Sequence, residues 1–365
     1  MDFKKKTYWL LIMKRYIFLS FIFILSSCSV SNVRFSAIEP ADINIPEHIE
    51  QVMVLDRSAP SKANQAENIL DGLLSGESIG LDSQGAKKCV RALENSLNNS
   101  PKFSLIASDA ISLKGTGTSE FPNPLKWKKI QKITKDYNTD ALIVLETFDS
   151  SSSIMDLGIR EQKIKKDGKW IIVPKNVVAL DIEVQAGWRI YDIENQKIID
   201  EKRFFDQKSF ERTGNSFLSA KQKLPSLNSA VSDAAYFSGE QFYLRISPHY
   251  IIISREYYKN LKNIKGYKVK SEQANNFFVE ASRKVQKNDW EGASKIWKMF
   301  VSHENNQIAS RACFNMALAS EANGKIKLAI DWVKKSINFG NKKGAIYFIS
   351  LKERKKAQEK LKNQL

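Results

Sequence analysis

Across residues 51–145, short continuous apolar runs alternate with amphipathic spans, and this alternation constrains the chain more than any other feature. Val52-Met53-Val54-Leu55 and Ala141-Leu142-Ile143-Val144-Leu145 are unbroken in the manner of strands buried on both faces, and 103–107 reads as a further strand. Between them, Ala86, Val90, Leu93 and Leu97 recur at helical spacing until Asn98-Asn99-Ser100-Pro101 stops the pattern. Trp127, Ile130, Ile133 and Tyr137 form a second such stripe before Asp140. This β-α-β-α-β order implies parallel strands joined by right-handed crossovers.

Beyond Asp149 the pattern becomes that of an antiparallel meander. Lys166-Asp167-Gly168-Lys169 is a hairpin signal, Asp-Gly favouring a type I′ turn, and it leads into Trp170-Ile171-Ile172-Val173. Val178, Leu180, Ile182, Val184, Ala186, Trp188 and Ile190 then alternate with mostly polar residues, giving a strand with one core face. Glu194-Asn195-Gln196 turns the chain into a partner strand over 197–206. Ala230, Ala234, Ala235 and Ser238 lie on a helix able to approach a sheet closely, and Tyr250-Ile251-Ile252-Ile253 is read as the last strand. Residues 51–258 are therefore expected to form one α/β domain on a mixed sheet. Residues 28–50, with Pro40 and Pro46, are read as a tether.

The remainder, 259–365, reads as helical, with a repeat. Phe277, Ala281, Asn288, Ala293 and Trp297 have the same spacing as Cys313, Ala317, Gly324, Ala329 and Val333. Small residues where paired helices touch, with a turn residue between, resemble the tetratricopeptide pattern. Arg311 and Asn315, one turn apart, are expected on its concave face as a candidate partner groove. The same part holds the excess charge: 24 basic and 10 acidic residues fall within 255–365 of a chain whose net charge is +17. That patch suits an anionic surface or an acidic partner.

The N-terminus gives an address. Lys14-Arg15, the apolar run 16–25 and Leu25-Ser26-Ser27-Cys28 have the form of a secretory signal ending at a small-residue cleavage site. The run is too short to span a bilayer comfortably. Small residues followed directly by Cys resemble the lipobox of bacterial lipoproteins, which makes 1–27 a signal peptide and Cys28 the lipidated N-terminus, carrying diacylglycerol and a further acyl chain such as palmitate. Ser29 in place of Asp favours the outer membrane, facing the periplasm. In that compartment nucleic acid is not an expected partner of the basic patch; an envelope protein or an acidic polymer is.

Signals for catalysis are thin. The chain has no His-Glu-x-x-His, no Walker loop and no paired Cys spacing, and its one Gly-x-Ser-x-Gly match, Gly76-Glu77-Ser78-Ile79-Gly80, lies in the polar stretch after the first strand rather than directly behind an apolar strand run, as a nucleophile elbow would. His48, His249 and His303 have no obvious catalytic acid partner in the sequence pattern and read as structural or solvated, and Cys89 and Cys313 read as buried small hydrophobes. Lys114-Gly115-Thr116-Gly117-Thr118 reads as a loop rather than a phosphate cradle. Asp71, Glu77 and Asp82 do not have the spacing of a calcium hand and read as part of a capping loop. No metal or cofactor is expected.

Asp71-Gly72-Leu73-Leu74-Ser75-Gly76-Glu77, Phe121-Pro122-Asn123-Pro124-Leu125-Lys126-Trp127, Asp140-Ala141-Leu142-Ile143-Val144-Leu145-Glu146, Gly187-Trp188-Arg189-Ile190-Tyr191-Asp192 and Ile246-Ser247-Pro248-His249 resemble an uncharacterised family of Bacteroidota lipoproteins that end in tetratricopeptide-like helices. The resemblance spans the mature chain and implies architecture and address without a mechanism. The element order is also similar, more loosely, to the periplasmic α/β domains of curli-secretion and penicillin-binding-protein-activator lipoproteins. The expectation is a non-enzymatic, lipid-anchored binding or scaffold protein of the cell envelope. The alternative is an envelope polysaccharide or peptide hydrolase using Glu146 and Asp149 at the end of a parallel strand.

Overall fold

A computed structural model of the chain describes residues 29–60, 80–107, 111, 113–117, 120–262, 264 and 271–365. The chain divides into two compact units, one of residues 40–249 and 361–365, the other of residues up to 39 and 250–360.

The first unit is built on a five-stranded sheet. Its strands are β2 (Gln51–Asp56), β3 (Ser104–Ile106), β4 (Ala141–Lys166), β5 (Lys169–Asp192) and β6 (Lys197–Gly214), in the order β3-β2-β4-β5-β6; β1 (Val30–Glu39) belongs to the other unit. β2 pairs in parallel with β3 and β4, as the alternating pattern implies, and β4-β5-β6 form the antiparallel meander. Helices α1 (Leu81–Leu97) and α4 (Leu227–Ile246) cover one face. There Val52, Val54, Ile143 and Leu145 share a core with the even-numbered residues from Leu180 to Ile190 and with Ala86, Cys89, Leu93, Val231 and Phe242. Trp188 stacks on Phe242 with ring centroids 4.7 Å apart. Helix α2 (Trp127–Thr134) lies on the other face, where Ile130 and Leu125 pack on Met53, Leu55, Leu142, Val144 and Tyr191. A short helix α3 (Phe217–Lys221) follows β6, held by a reciprocal capping box between Ser216 and Ser219.

The meander is longer than the sequence pattern suggested. Asp167 and Gly168 take φ of 50° and 77°, as a type I′ turn requires, and β4 and β5 pair from Ala141↔Asp192 out to Lys166↔Lys169, interrupted by bulges between Leu145 and Thr147 and between Asp156 and Ile159. β6 accompanies β5 only from Asn176 onward. Residues 160–175 are thus a two-stranded arm beyond the three-stranded part of the meander, with Ile159 at its base.

The second unit contains five helices: α5 (Ser271–Gln286), α6 (Trp290–Lys298), α7 (Asn306–Ala322), α8 (Ile326–Asn338) and α9 (Lys343–Leu361). Asp289 caps α6 by accepting from Gly292 N–H, and Asn305 caps α7 by accepting from the N–H groups of Gln307 and Ile308. Of the aligned positions of the sequence repeat, Ala281, Ala293, Trp297, Cys313, Ala317, Ala329 and Val333 are buried, while Phe277, the counterpart of Cys313, is half-buried. Asn288 and Gly324 both take positive φ in the turns between paired helices.

Two boundaries differ from the expected ones. Val30–Glu39, within the supposed tether, is strand β1, and its Val33 and Phe35 pack on the helical core, Phe35 meeting Trp290 edge-on at 6.0 Å. β7 (His249–Tyr258) does not close the larger sheet; it pairs with β1 in a two-stranded sheet, and Tyr257 is buried among the helices. The physical reason is that β1 and β7 offer each other a ladder and an apolar side that only the helices cover.

The contact of α1 with α4 sets a steric limit. A Cβ at Gly239 would lie 2.1 Å from the Cys89 carbonyl oxygen, so Gly239→Ala forces the helices apart. Overpacking of this kind costs about 1–3 kcal/mol, read as an earlier chemical-denaturation midpoint, whereas Gly168→Asn, at a turn position that tolerates Asn, leaves it nearly unchanged.

Candidate functional site

The strand order β3-β2-β4 reverses its direction of travel at β2, so the carboxyl ends of β2 and β4 form the switch point where open α/β sheets usually hold ligands. Here that place is filled from within. β4 bulges between Leu145 and Thr147, which turns Glu146 out of the ladder register. Its carboxylate is fully buried. Oε2 accepts from Arg57 Nη1 at 2.9 Å, and Oε1 accepts from the Tyr191 hydroxyl at 2.5 Å, with Arg189 Nη1 at 3.4 Å. Arg57 follows β2 directly, its N–H donating to the Leu145 carbonyl, so the ion pair spans the two parallel strands.

The same cations hold the segment 121–127 over the strand ends. Arg57 donates to the carbonyls of Lys114 and Asn123, Arg189 to the carbonyl of Pro122, and Tyr191 accepts from Leu125 N–H. Phe121 lies beneath two guanidinium groups, 4.8 Å from Arg189 and 5.4 Å from Arg203. Trp127 meets Tyr191 edge-on. Three of the motifs quoted above, those at 121–127, 140–146 and 187–192, thus converge on one buried network. Burial, reinforced by the neighbouring Glu146 carboxylate, pushes the Tyr191 phenol up to about 12.

This arrangement positions a loop; it does not present an acid or base to a substrate. Both oxygens of Glu146 are occupied by cations and a phenol of the chain itself, so the carboxylate expected to serve a hydrolase is spent. Burial raises the Asp149 carboxyl above the ordinary range, but Glu146 offers it no free partner oxygen.

The candidate groove residues are also corrected. Asn315 is buried, donating to the Tyr258 carbonyl and accepting from Tyr258 N–H, while Arg311 Nη1 donates to the carbonyls of Asn260 and Lys262. Both bind the chain leaving β7 rather than a partner, because backbone beyond a strand end must find hydrogen bonds somewhere. His48 has an acid partner that sequence distance concealed: its Nε2 lies 3.2 Å from the buried Asp192. Cys89 and Cys313 are free and buried, and burial pushes the Cys313 thiol up to about 11. Asp82, from the acidic loop, accepts from Ser150 Oγ at 2.6 Å; Asp71, Glu77 and the lipidation candidate Cys28 lie outside the described residues. Among the described residues no cluster of acid, His or Cys side chains has the makings of a metal site.

The sequence signal missed altogether is the arm. Ile159, Trp170 and Ile172 are each more than 60% exposed, with Ile154, Met155 and Ile171 also outward, so six of the chain's exposed large apolar side chains sit on or beside one hairpin. Lys163 lies over the Trp170 ring at 5.6 Å.

A family profile described as a domain of unknown function, DUF8603, matches residues 49–258, more than half of the chain. The chain belongs to the DUF8603 family. A second profile, also a domain of unknown function, DUF6340, matches residues 279–364. The three motifs that meet around Glu146 all fall within the DUF8603 segment. No curated protein matches the chain. Among solved structures, the chain is similar to a protein named as a homolog of neuraminyllactose-binding hemagglutinin from Helicobacter pylori, at 10% identity over 55% of this chain and 81% of that one, with a TM-score of 0.22. It is also similar to a hypothetical protein of Chlamydia trachomatis, at 12% identity over 54% of this chain and 98% of that one, with a TM-score of 0.22. A third, named as a lipoprotein of Caulobacter crescentus CB15, matches at 10% identity over 45% of this chain and 90% of that one, with a TM-score of 0.17. Scores this low carry no argument about fold or activity.

Glu146→Ala leaves the mostly buried Arg57 without its counter-charge and Arg189 with Glu201 alone, and is expected to destabilise the DUF8603 segment by about 3 kcal/mol, measured by chemical denaturation. The Tyr191 phenol is raised in the fold, so its contribution is complete below pH 10, the unfolded value, and is lost as pH rises toward 12. Tyr191→Phe therefore lowers stability at pH 7 and flattens the alkaline limb of a stability–pH profile; an unchanged limb counts against the Glu146 contact.

Proposed function

We propose that this chain is a lipid-anchored protein of the bacterial envelope that acts by binding and holding partners, not by catalysis. The observation that carries the reading is the gathering of exposed apolar side chains on the β4–β5 arm, while the switch point, the usual seat of chemistry in such a sheet, is closed by the chain's own ion pairs. Monomeric soluble proteins seldom leave such a patch without a use.

The address rests on Leu25-Ser26-Ser27-Cys28. Acylation of Cys28 places the protein on the periplasmic side of the outer membrane; no helix among the described residues is long and apolar enough to cross a membrane. The tetratricopeptide-like reading of the helical unit belongs to the same proposal, supported by the small buried residues at equivalent positions and by left-handed Asn288 and Gly324. Its basic helices suit an envelope protein or an acidic polymer, with Arg311 and Asn315 no longer counted among the contacts.

Two measurements test this. Metabolic labelling with palmitate in the native host should mark the wild type and leave Cys28→Ser unlabelled and released from membranes; label on the variant ends the anchor assignment. A photocrosslinking residue at Ile172, or at the exposed Leu328 of α8, should capture envelope components in intact cells. Capture at neither position ends the binding reading.

A further inference from the structure

We infer that the tip of the β4–β5 arm docks on an anionic lipid surface, with Trp170 and Ile172 at headgroup depth and the lysines around the turn against lipid phosphates. This deepens the binding reading above and rests on it. The turn Asp167-Gly168 puts Lys165 opposite Trp170, Lys163 opposite Ile172, Ile164 opposite Ile171 and Lys166 opposite Lys169. Opposed residues share a face, so Trp170 and Ile172 lie on one side of the ribbon with Lys163 and Lys165, and Ile164 and Ile171 on the other with Lys166 and Lys169. Apolar side chains and ammonium groups therefore surround the tip on both faces.

That distribution selects the occupant. A protein groove takes one face of a ribbon, whereas a bilayer interface encloses a tip from every side. Between residues 160 and 175 there are six basic and two acidic residues, and Arg160 is already paired with Glu211 at the base of the arm. The tip is thus cationic, complementary to anionic headgroups and repelled by the tip of a second copy. Trp is favoured at the boundary between headgroup and acyl chain, where its ring is apolar and its N–H remains wet. Depth is limited as well. The arm is two strands wide, so each outer edge carries unpaired backbone groups that hydrocarbon cannot satisfy; the tip rests in the interface and does not cross it. Pro174 and the bulge with Gly158 at φ 75° interrupt those edges, which discourages strand addition by another chain.

The test uses residues 29–365, which retain every described element and carry no acyl group. Co-sedimentation is measured with vesicles of equal parts phosphatidylglycerol and phosphatidylcholine, and with phosphatidylcholine alone. The expected result is salt-sensitive binding to the anionic vesicles only. Trp170→Ser with Ile172→Ser, and separately Lys165→Gln with Lys166→Gln and Lys169→Gln, should each weaken binding at least about tenfold without shifting the melting temperature. Neutralising Lys352, Lys355 and Lys356 on α9 should leave binding intact. Equal binding to neutral vesicles, full binding by the arm variants, loss through the α9 variant, or dimerisation through the arm overturns the inference. Capture of a protein at Ile172 in cells, with vesicles ignored, ends the lipid assignment and leaves the binding reading standing; failure of both ends both.

Discussion

Glu146 is a charge where the sheet has no water to offer it, and the parallel half of the α/β unit is organised around solving that problem. Taking a carboxylate out of water costs several kcal/mol even after relaxation, and the cost is recovered only when good geometry supplies several partners. Arg57 arrives from β2, Arg189 and Tyr191 from β5, and each of them also holds the 121–127 segment. One buried charge thus fixes the β4 bulge, the end of β2 and the loop above them. The helical unit repeats the device independently: Arg255 on β7 makes a two-pronged pair with the buried Glu321 of α7, which also accepts from the Tyr347 hydroxyl of α9.

The sequence made a good part of this legible, and the reasons are local. The runs at 52–55 and 141–145 have the length of strands covered on both sides, and the Asp167-Gly168 turn was read correctly because turn chemistry is written in neighbouring residues; the alternation read from Val178 to Ile190 holds only over 180–186, since Ala179, Gly187 and Arg189 on the other face are buried as well. β1 was missed because Asn32, Arg34 and Ser36 dilute its stripe of Val33, Phe35 and Ala37, whose cover lies more than 200 residues away. β7 was assigned to the wrong sheet for a related reason: a strand's pattern states that it has an apolar side, not which partner covers it.

The site shows the same division. Glu146 was singled out for its place at a strand end, but nothing near it in sequence announced that Arg57, Arg189 and Tyr191 would occupy its oxygens. Arg311 and Asn315 were placed correctly on one turn of a helix, and their role went unseen because the backbone they hold follows a strand some 50 residues earlier. The arm escaped notice because exposure is a tertiary property: Trp170-Ile171-Ile172-Val173 reads like a core strand until the sheet ends before reaching it.

The division into units has a consequence for processing. The chain passes from one unit to the other at 39/40, at 249/250 and at 360/361, so β1, nearest the proposed anchor, belongs with the helices while the last five residues belong with the sheet. Gln364 is buried there, its amide exchanging hydrogen bonds with the backbone of Ala41 and donating to the Ile43 carbonyl. A protease cutting once at any of these passages leaves two covalent links between the units. A cut after Glu39 would leave the proposed acylated end attached through the pairing of β1 with β7, its apolar packing and the hold of Arg354 on the Ile38 carbonyl and the Glu39 carboxylate. Shedding from the membrane would then be governed by how fast a strand leaves a two-stranded sheet, not by how fast a peptide bond is cleaved.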